Sequence, residues 1–291
     1  MSTLEDISST VERVADRVAP AVVTIGRNRR GAGVVVDEGV VLTNAHNVRG
    51  ATVTVGFADG RRAEGEVRGV DVDGDLAVVQ VDTGEVTAPG WASGAPGLGD
   101  VVLALAPTSA GSVRVTVGTV SGTEQAFRGP RGRRIRGGVE HTAPLARGSS
   151  GGPITDAEGR VVGINTHRLD PGFYLAQPVD ESLRGKVEQL RAGNAPTRRR
   201  LGLAVAPPDV ASRLRRAVGL EDRTGILVRG VDDESPAAAA GVREGDLVVR
   251  ASDQAVESID DLHDAIDAAG EGALTLGIVR GADDVEVRIE P

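Results

Sequence analysis

Short runs of valine and other aliphatic residues, separated by glycine or aspartate, dominate the first two thirds of the chain. Apolar segments of this length, bounded by turn-forming residues, predict β-strands, and many such strands in series favour a β-barrel or a sandwich. We expect strands over residues 21–25, 33–36, 40–43, 52–57, 77–81, 101–106, 113–117 and 160–164.

Helical spacing appears at both ends of this strand-rich part. There, apolar residues recur every three or four positions, which is the period of a helix face. Pro20 ends the first helix, whereas Asp180 caps the second and Gly193 ends it. The buried faces are expected to hold Val11, Val14 and Val18 in the first helix and Leu183, Val187 and Leu190 in the second.

The pattern changes after residue 193. Residues 194–200 are polar and basic and contain a proline, which is typical of a linker. Beyond them, aliphatic strands alternate with helical segments capped by Ser235 and by Ser258 or Asp260, which predicts a small α+β module. We therefore expect a first domain over residues 1–193, a linker over 194–200 and a second domain over 201–291.

Composition narrows the class of protein. The 291 residues are 40% hydrophobic and 26% charged, as in globular proteins, but only 2% aromatic, so the core must be aliphatic. A formal net charge of −9 argues against nucleic-acid binding. The absence of cysteine excludes disulfides and thiolate metal sites, and we expect neither a metal nor a cofactor.

The N-terminal residues do not form a recognisable targeting segment. The first six residues, Met-Ser-Thr-Leu-Glu-Asp, are polar and acidic, and no basic and then apolar region follows them. No apolar run reaches the roughly 18 residues of a membrane-spanning helix. We expect a cytoplasmic protein without a membrane span, or a periplasmic or secreted one if the natural N-terminus has been truncated.

Residues 148–153 read Gly-Ser-Ser-Gly-Gly-Pro. In such a loop, glycines let backbone N–H groups converge beside a serine side chain, where they can stabilise an oxyanion. This motif alone does not separate a catalytic site from a surface loop, or Ser150 from Ser149 as the nucleophile. A serine hydroxyl also needs a base, and the chain has four histidines, which are His46, His141, His167 and His263.

Two further stretches supply candidate partners for the serine. His46 follows an apolar strand directly, and Asp75 stands at the head of a strand of buried type. An aspartate in that position can be shielded from water and orient a histidine ring. Asp71 and Asp73 are the alternatives to Asp75, and the order His, Asp, Ser is one of the known chain orders for a catalytic triad.

Taken together, these motifs resemble the HtrA (Deg) serine proteases, which are chymotrypsin-fold proteases with a C-terminal PDZ domain. The resemblance spans nearly the whole chain and implies a mainly β protein, with a chymotrypsin-like double six-stranded β-barrel followed by a small α+β PDZ domain. Five motifs of the family have counterparts in this chain. Gly-Ser-Gly…Leu-Thr-Asn-x-His corresponds to residues 31–48, Asp-Leu-Ala-Val-Leu to 75–79 and Gly-Asn-Ser-Gly-Gly-Pro-Leu to 148–154. Gly-Ile-Asn-Thr corresponds to residues 163–166 and Gly-Phe-Ala-Ile-Pro to 174–178.

By this resemblance, His46 acts as general base and then general acid, Asp75 orients it, and Ser150 forms the acyl-enzyme. The N–H groups of Gly148 and Ser150, with Ser149 between them, would form the oxyanion hole. His141 and His167 do not match the family's histidine motif, so a loop or pocket-rim role is expected for them. His263 lies on the predicted helix of the second module and is expected at its surface or pocket edge.

The resemblance also places the substrate pocket, which Leu145 and Ile164 would line. Trypsin binds basic side chains through an aspartate six residues before its nucleophile, and Pro144 stands at that position here. We therefore expect the pocket to accept an apolar side chain of moderate size, such as valine, isoleucine, leucine or alanine.

Several positions depart from the family pattern without removing a triad residue. Ser149 replaces the usual asparagine, Asn47 replaces a valine, and residues 141–144 replace Thr-Asp-Ala-Ala. The arginine-rich segment 128–136 is either a solvated loop or the counterpart of the family's sensor loop, whose charge would suit an acidic partner.

The second module resembles a PDZ domain in two places. Residues 235–248 resemble the PDZ core signature, and residues 258–268 would form the helix beside the peptide groove. The alternative is a docking domain that binds no free C-terminus. The loop expected to capture a peptide carboxylate through its backbone N–H groups is Arg200, Leu201, Gly202 and Leu203.

The resemblance implies an ATP-independent serine endopeptidase that hydrolyses unfolded or damaged proteins under regulation by its PDZ domain. The alternative is a resting-inactive chaperone or peptide-binding scaffold. Expected partners are unfolded polypeptides and C-terminal peptides, with no nucleic acid. The family is usually trimeric through N-terminal aromatic residues; this chain has none before Phe57, so a homotrimer would need an aliphatic contact near residues 11–18.

Overall fold

The computed structural model describes residues 3–27, 31–108, 111–130, 132–196 and 199–291. The chain divides into two compact units, Met1–Pro196 and Thr197–Pro291. The expected linker, residues 194–200, spans this division, and its residues 197–198 lie outside the described part of the chain.

Six antiparallel strands close the first barrel of the larger unit, in the order β1-β2-β3-β6-β5-β4. Its interior is aliphatic, and side chains such as Ile25, Leu42 and Leu76 are fully buried there. Burying one such side chain contributes about 1.5–3 kcal/mol. The strands are β1 (Val22–Ile25), β2 (Gly31–Asp37), β3 (Val40–Thr43), β4 (Thr52–Gly56), β5 (Arg62–Asp71) and β6 (Leu76–Gln80).

Six more strands close a second barrel, in the order β10-β11-β12-β9-β8-β7. Small and branched side chains, among them Ala104, Val139 and Ile154, fill it. Two closed six-stranded barrels in succession confirm the expected chymotrypsin-like architecture. The strands are β7 (Val101–Pro107), β8 (Val113–Arg128), β9 (Arg134–His141), β10 (Pro153–Thr155), β11 (Val161–Asp170) and β12 (Phe173–Pro178).

The hydrophobic pattern did not predict β5, β9, β10 or β12, nor the second half of β8. β5, β9 and the second half of β8 carry charged or small residues on an exposed face, whereas β10 has only three residues and β12 is a mostly buried strand that mixes aromatic, aliphatic and polar residues. The arginine-rich segment 128–136 belongs in part to the β8–β9 hairpin, where Arg128 pairs with Arg134. Arg131 of this segment lies outside the described residues.

Helices α1 (Thr3–Val18) and α2 (Glu181–Arg191) pack against the barrels through the predicted faces. In α1, Val14 and Val18 are buried beside aliphatic residues of the barrels. The Asp180 carboxylate caps α2 by accepting a hydrogen bond of 2.7 Å from the backbone N–H of Leu183. No helix within the described ranges is both long and apolar enough to cross a membrane.

The second unit is an antiparallel sheet of order β13-β14-β15-β17-β18, with β16 paired to β15 and three helices. Ser235 caps α4, and Ser258 rather than Asp260 caps α5, since the hydroxyl of Ser258 accepts from the backbone N–H of Asp261. The elements are β13 (Leu203–Ala206), α3 (Pro208–Ala217), β14 (Ile226–Val231), α4 (Pro236–Ala239), β15 (Leu247–Ala251), β16 (Gln254–Ala255), α5 (Ile259–Ala269), β17 (Leu274–Arg280) and β18 (Asp283–Ile289).

A bidentate ion pair joins the end of β17 to the residue that precedes β15. The guanidinium of Arg280 donates from Nε and Nη2 to the two carboxylate oxygens of Asp246, each at 2.8 Å. The Asp246 side chain is only 1% exposed, and its Oδ2 also accepts the backbone N–H of Arg243. The hydrogen bonds to Asp246 raise the pKa of Arg280, so its guanidinium stays charged.

Candidate active site

His46 and Asp75 meet because their strands are neighbours. β3 and β6 pair antiparallel, so the residues that follow β3 lie beside those that precede β6. His46 sits in the short 3₁₀ turn Ala45–Asn47, and its Nδ1 lies 2.9 Å from both carboxylate oxygens of Asp75. The His46 side chain remains 33% exposed, which leaves the other ring nitrogen available to a reactant.

Asp75 is fully buried and held from several sides. Its Oδ2 accepts a hydrogen bond of 2.9 Å from the Thr166 hydroxyl, and its backbone carbonyl accepts one from the Asn44 side-chain amide. Its φ of 53° is left-handed, a conformation that aspartate and asparagine adopt more readily than most residues. The carboxylate is therefore fixed against the imidazole.

The neighbouring aspartates do not contact His46. The Asp71 side chain accepts the backbone N–H of Gly74 at 2.8 Å and so shapes the turn that leads to Asp75. Asp73 is half-buried, and within the described residues it makes no hydrogen bond to a histidine. Of the three aspartates considered from the sequence, Asp75 is the one that the structure brings to His46.

The loop of residues 148–153, called the serine loop below, passes close to the first barrel. Gly151 has a φ of 92°, and a Cβ built on it would lie 2.1 Å from the carbonyl oxygen of Ala32, so only glycine fits. Ser149 is buried, whereas Ser150 is half-buried. The backbone N–H groups of Gly148 and Ser150 have no acceptor among the described residues, so they can donate hydrogen bonds to a bound molecule.

The hydroxyl of Ser150 donates to the backbone carbonyl of Thr166. In the described part of the chain, no hydrogen bond joins Ser150 to His46. The structure thus brings the base and its aspartate into hydrogen-bonding contact, while the serine hydroxyl is held by a different partner. Sequence reasoning did not find this role of Thr166.

Thr166 also links the aspartate to a second histidine. Its hydroxyl lies 3.2 Å from Nδ1 of His167, in addition to its hydrogen bond with Asp75. The His167 ring is edge-on to His46 at a centroid distance of 6.2 Å and lies 5.5 Å from the ring of Phe127. His167 therefore belongs to the rim of this site, as expected for it.

His141 lies behind the site and is fully buried, rather than in a loop or at the rim. Its Nε2 is 2.8 Å from Oδ1 of Asn165, and its ring stacks on Tyr174 at a centroid distance of 5.8 Å. Burial lowers the pKa of His141, and the hydrogen bond to Asn165 and the charge of Glu140 oppose this shift only in part. Asn165 in turn donates to the carbonyl of Gly152 in the serine loop.

A cavity of about 180 Å³ opens beside Ser150. Leu145 lines it, but Ile164 does not, because its side chain is fully buried in the aliphatic core and the cavity wall begins one residue later. The prediction of Ile164 therefore identified the correct strand, but this residue faces the core instead of the cavity. The lining is Leu145, Ala146, Arg147, Gly148, Ser149, Ser150, Asn165, Thr166, His167, Arg168 and Tyr174.

In the second unit, the expected carboxylate-binding loop leads into an edge strand. The Leu201 carbonyl accepts the backbone N–H of Ala237, and the Gly202 carbonyl accepts that of Asp232. Gly202 has a φ of 74°, and a Cβ on it would lie 2.2 Å from Ser235, so the close approach requires glycine. Arg200 precedes this turn and Leu203 begins β13, which is the terminal strand in the sheet order.

Comparisons of the sequence with known proteins agree with this two-part layout. Residues 31–164 match the model of the trypsin-like peptidase domain, and residues 227–280 match that of the PDZ domain. The mitochondrial serine protease HTRA2 of Drosophila virilis is 31% identical over 282 residues, which cover 90% of this chain and 66% of the relative. The HTRA2 protease of Drosophila willistoni is also 31% identical over 282 residues, with coverage of 90% and 64%.

This chain therefore spans about two thirds of the length of the curated relatives it matches. Among solved structures, the serine endoprotease from Yersinia pestis has a TM-score of 0.70 and 25% identity, and the match covers 96% of both chains. The HtrA-type protease AlgW with a decapeptide has a TM-score of 0.71 and 23% identity over 96% of this chain and 97% of AlgW, which supports the fold. The chain belongs to the HtrA family of serine proteases, with a trypsin-like peptidase domain followed by a PDZ domain.

Proposed function

We propose that the chain is a serine endopeptidase that cleaves peptide bonds through an acyl-enzyme on Ser150. The observation that carries the proposal is the buried Asp75 carboxylate, both oxygens of which lie 2.9 Å from Nδ1 of His46. That contact fixes the ring so that Nε2 can act as a base, and it stabilises the imidazolium formed when the serine loses its proton.

The reaction would proceed in two halves. Ser150 attacks the substrate carbonyl while His46 takes its proton, and the N–H groups of Gly148 and Ser150 receive the oxyanion, with Ser149 as the residue between them. His46 then donates the proton to the departing amine, and a water molecule hydrolyses the acyl-enzyme by the same steps. Losing one oxyanion donor in such a site typically lowers turnover by about 10²–10³-fold.

A second candidate function is a resting-inactive peptide-binding scaffold. The hydrogen bond from the Ser150 hydroxyl to the Thr166 carbonyl favours it, because that hydroxyl must turn toward His46 before it can be deprotonated. We interpret the bond as a resting conformation of the protease, which substrate or a PDZ ligand converts to the active one.

For substrates, we propose unfolded polypeptides with an apolar residue of moderate size at the cleavage site. The volume of the cavity, about 180 Å³, and the presence of Leu145 and Tyr174 in its wall support such a residue. For the PDZ domain, we propose a C-terminal peptide that adds as a strand to β13, with its carboxylate at residues 200–203.

We also propose a homotrimer, as in the family. Val14 and Val18 of α1 are buried against the chain's own barrels, so they are not available to another subunit. Leu4 and Ile7 on the same helix are 75% and 51% exposed and offer the aliphatic contact instead. Native mass spectrometry of the parent and of a Leu4→Ser, Ile7→Ser variant tests this, and a monomeric parent would contradict it.

The experiment that tests the protease function is labelling with a fluorophosphonate probe, alongside casein hydrolysis. We expect labelling of the parent and of Ser149→Ala, and loss of both labelling and hydrolysis in Ser150→Ala. Absence of labelling and of hydrolysis in the parent, combined with tight binding of C-terminal peptides, would support the scaffold and overturn the protease proposal.

A further inference from the structure

Two arginines stand at the wall of the cavity beside Ser150. Arg147 immediately precedes Gly148, a candidate oxyanion donor, and Arg168 lies on β11 two residues beyond Thr166. Both residues line the cavity and both are exposed. Both arginines therefore border the space that a substrate must enter.

Neither arginine has a carboxylate partner within the described residues. The Nε of Arg168 donates to the backbone carbonyl of Asp170 at 3.4 Å, and its Cζ lies 6.0 Å from the Tyr174 ring. By contrast, Arg160 and Arg191 elsewhere in this unit are paired with aspartates at 2.7 and 2.6 Å. No aspartate or glutamate of the described ranges lines the cavity.

These cations are not part of a generally basic protein. The chain carries a formal net charge of −9, so its net charge repels acidic polypeptides. A pair of uncompensated arginines at a cleft produces a local positive potential, which concentrates and orients an acidic segment. Guanidinium groups also match carboxylates geometrically and bind them in bidentate fashion.

The position of the arginines defines which substrate residues they can contact. A peptide carbonyl held by the N–H groups of Gly148 and Ser150 lies next to Arg147 in the chain. An extended peptide advances about 3.3 Å per residue, so side chains one or two residues from the scissile bond are within reach of an arginine at the cavity rim. Because Leu145 and Tyr174 contribute apolar surface to the wall, the cavity itself suits an uncharged side chain.

We propose that Arg147 and Arg168 are specificity-determining residues that select polypeptides with an aspartate or glutamate within two residues of the cleaved bond. The selected substrate thus combines an apolar residue in the cavity with an acidic residue beside it. This inference rests on the proposed protease function and narrows its substrate class.

The test uses the full-length protein and matched peptides in which valine is fixed directly before the cleaved bond. One other position at a time carries glutamate, glutamine or lysine. These positions are the second residue before the bond and the first and second residues after it. We expect kcat/KM to follow Glu > Gln > Lys, mainly through KM, with a Glu-over-Gln preference of about 2- to 5-fold for each arginine engaged. The preference should shrink as salt is raised, because these charges are exposed.

Arg147→Gln and Arg168→Gln should each reduce the preference, and in the double variant the ratio of kcat/KM between the Glu and Gln peptides should fall to about one. Arg62→Gln is the matched control, since Arg62 is an exposed arginine on β5 outside this cavity, and it should behave as the parent. Circular dichroism and thermal unfolding verify that each variant is folded.

Equal kcat/KM for the three peptides in a parent enzyme that cleaves them would overturn the inference and leave the protease function standing. Failure to cleave any peptide contradicts the protease function itself. In that event, the affinity of the Ser150→Ala protein for the same fluorescent peptides decides the inference. Tighter binding of the Glu peptide that is lost in the double arginine variant supports it, and equal binding overturns it.

Discussion

The side-chain amide of Asn47 donates a hydrogen bond of 2.8 Å to the backbone carbonyl of Ser150. Asn47 belongs to the same 3₁₀ turn as His46, and its amide also donates to the Thr43 hydroxyl. A Cβ on Gly31 would lie 2.1 Å from the Asn47 side chain, so this packing requires a glycine there. The turn that carries the proposed base is thus tied directly to the backbone of the proposed nucleophile.

We predict that Asn47→Val and Asn47→Asp lower kcat with little change in KM. Valine removes the hydrogen bond, and aspartate keeps the shape but places an acceptor against the Ser150 carbonyl. One lost hydrogen bond is worth about 0.5–1.5 kcal/mol, or roughly 2- to 10-fold in kcat, and aspartate should cost more. Steady-state kinetics on a single peptide measure both constants. Variants with the kcat of the parent would show that the contact does not position Ser150.

Asp75→Asn should lower kcat at neutral pH by about 10⁴-fold. The amide preserves the shape and tolerates the left-handed backbone, but it no longer stabilises the imidazolium or selects the required tautomer of His46. Asp73→Asn serves as the matched control and should retain the activity of the parent. A loss of similar size in both variants would point to damage to the loop rather than to the triad.

His141 predicts a dependence of stability on pH. Its pKa is lowered by burial in the folded protein, whereas an unfolded chain has the ordinary value of about 6.5. Above that value His141 is neutral in both states and its contribution to stability is complete. As the pH falls below it, the unfolded state takes up a proton that the folded state does not, so the free energy of unfolding decreases.

Urea denaturation at several pH values between about 7.5 and 5.5 measures this effect. One proton contributes a slope of at most about 1.4 kcal/mol per pH unit. In His141→Gln, the part of the slope due to this residue should disappear, since an amide does not titrate. A slope identical to that of the parent would assign the effect to other groups.

Arg280→Met should destabilise the PDZ domain by about 2 kcal/mol. Among the described residues, the substitution leaves the Asp246 carboxylate, which is 1% exposed, with the backbone N–H of Arg243 as its one remaining donor. Arg288→Met is the control, because Arg288 and Glu290 are both 68% exposed and such pairs contribute little. Differential scanning calorimetry of the full chain compares the variants, and equal transitions would show that the Asp246 pair adds no net stability.

Sequence motifs were sufficient to predict the parts of the site that lie next to strand ends. His46 and Asp75 could be placed together because each borders an aliphatic strand. The strands by themselves favoured a barrel or a sandwich, and the family resemblance implied the double barrel. The contacts of Asn47 and Thr166 could not be predicted. Thr166 and Asp75 are more than 90 positions apart in the sequence, and Asn47 and Ser150 are more than 100 apart. Both contacts depend on how the two barrels pack against each other.

Other differences have equally local causes. Ile164 and Thr166 lie on the same strand, and a motif match cannot tell which residues face the core and which face the cavity. Helix α3 (Pro208–Ala217) was not predicted, although Val210, Ala211, Leu214 and Ala217 recur at helical spacing, because it is short and its other residues are mostly charged or polar. The longer part of β8 carries polar residues for the same reason that β5 does, since one face of each meets solvent.

The site is divided between two independently closed barrels, with the imidazole and carboxylate on the first and the serine on the second. A small rotation of one barrel against the other would separate them without breaking a single strand pair. Enzymatic turnover should therefore be lost at lower urea concentrations than the circular dichroism signal of the strands. The activity of this protein should therefore depend on the alignment of its two barrels and be lost while each barrel is still folded.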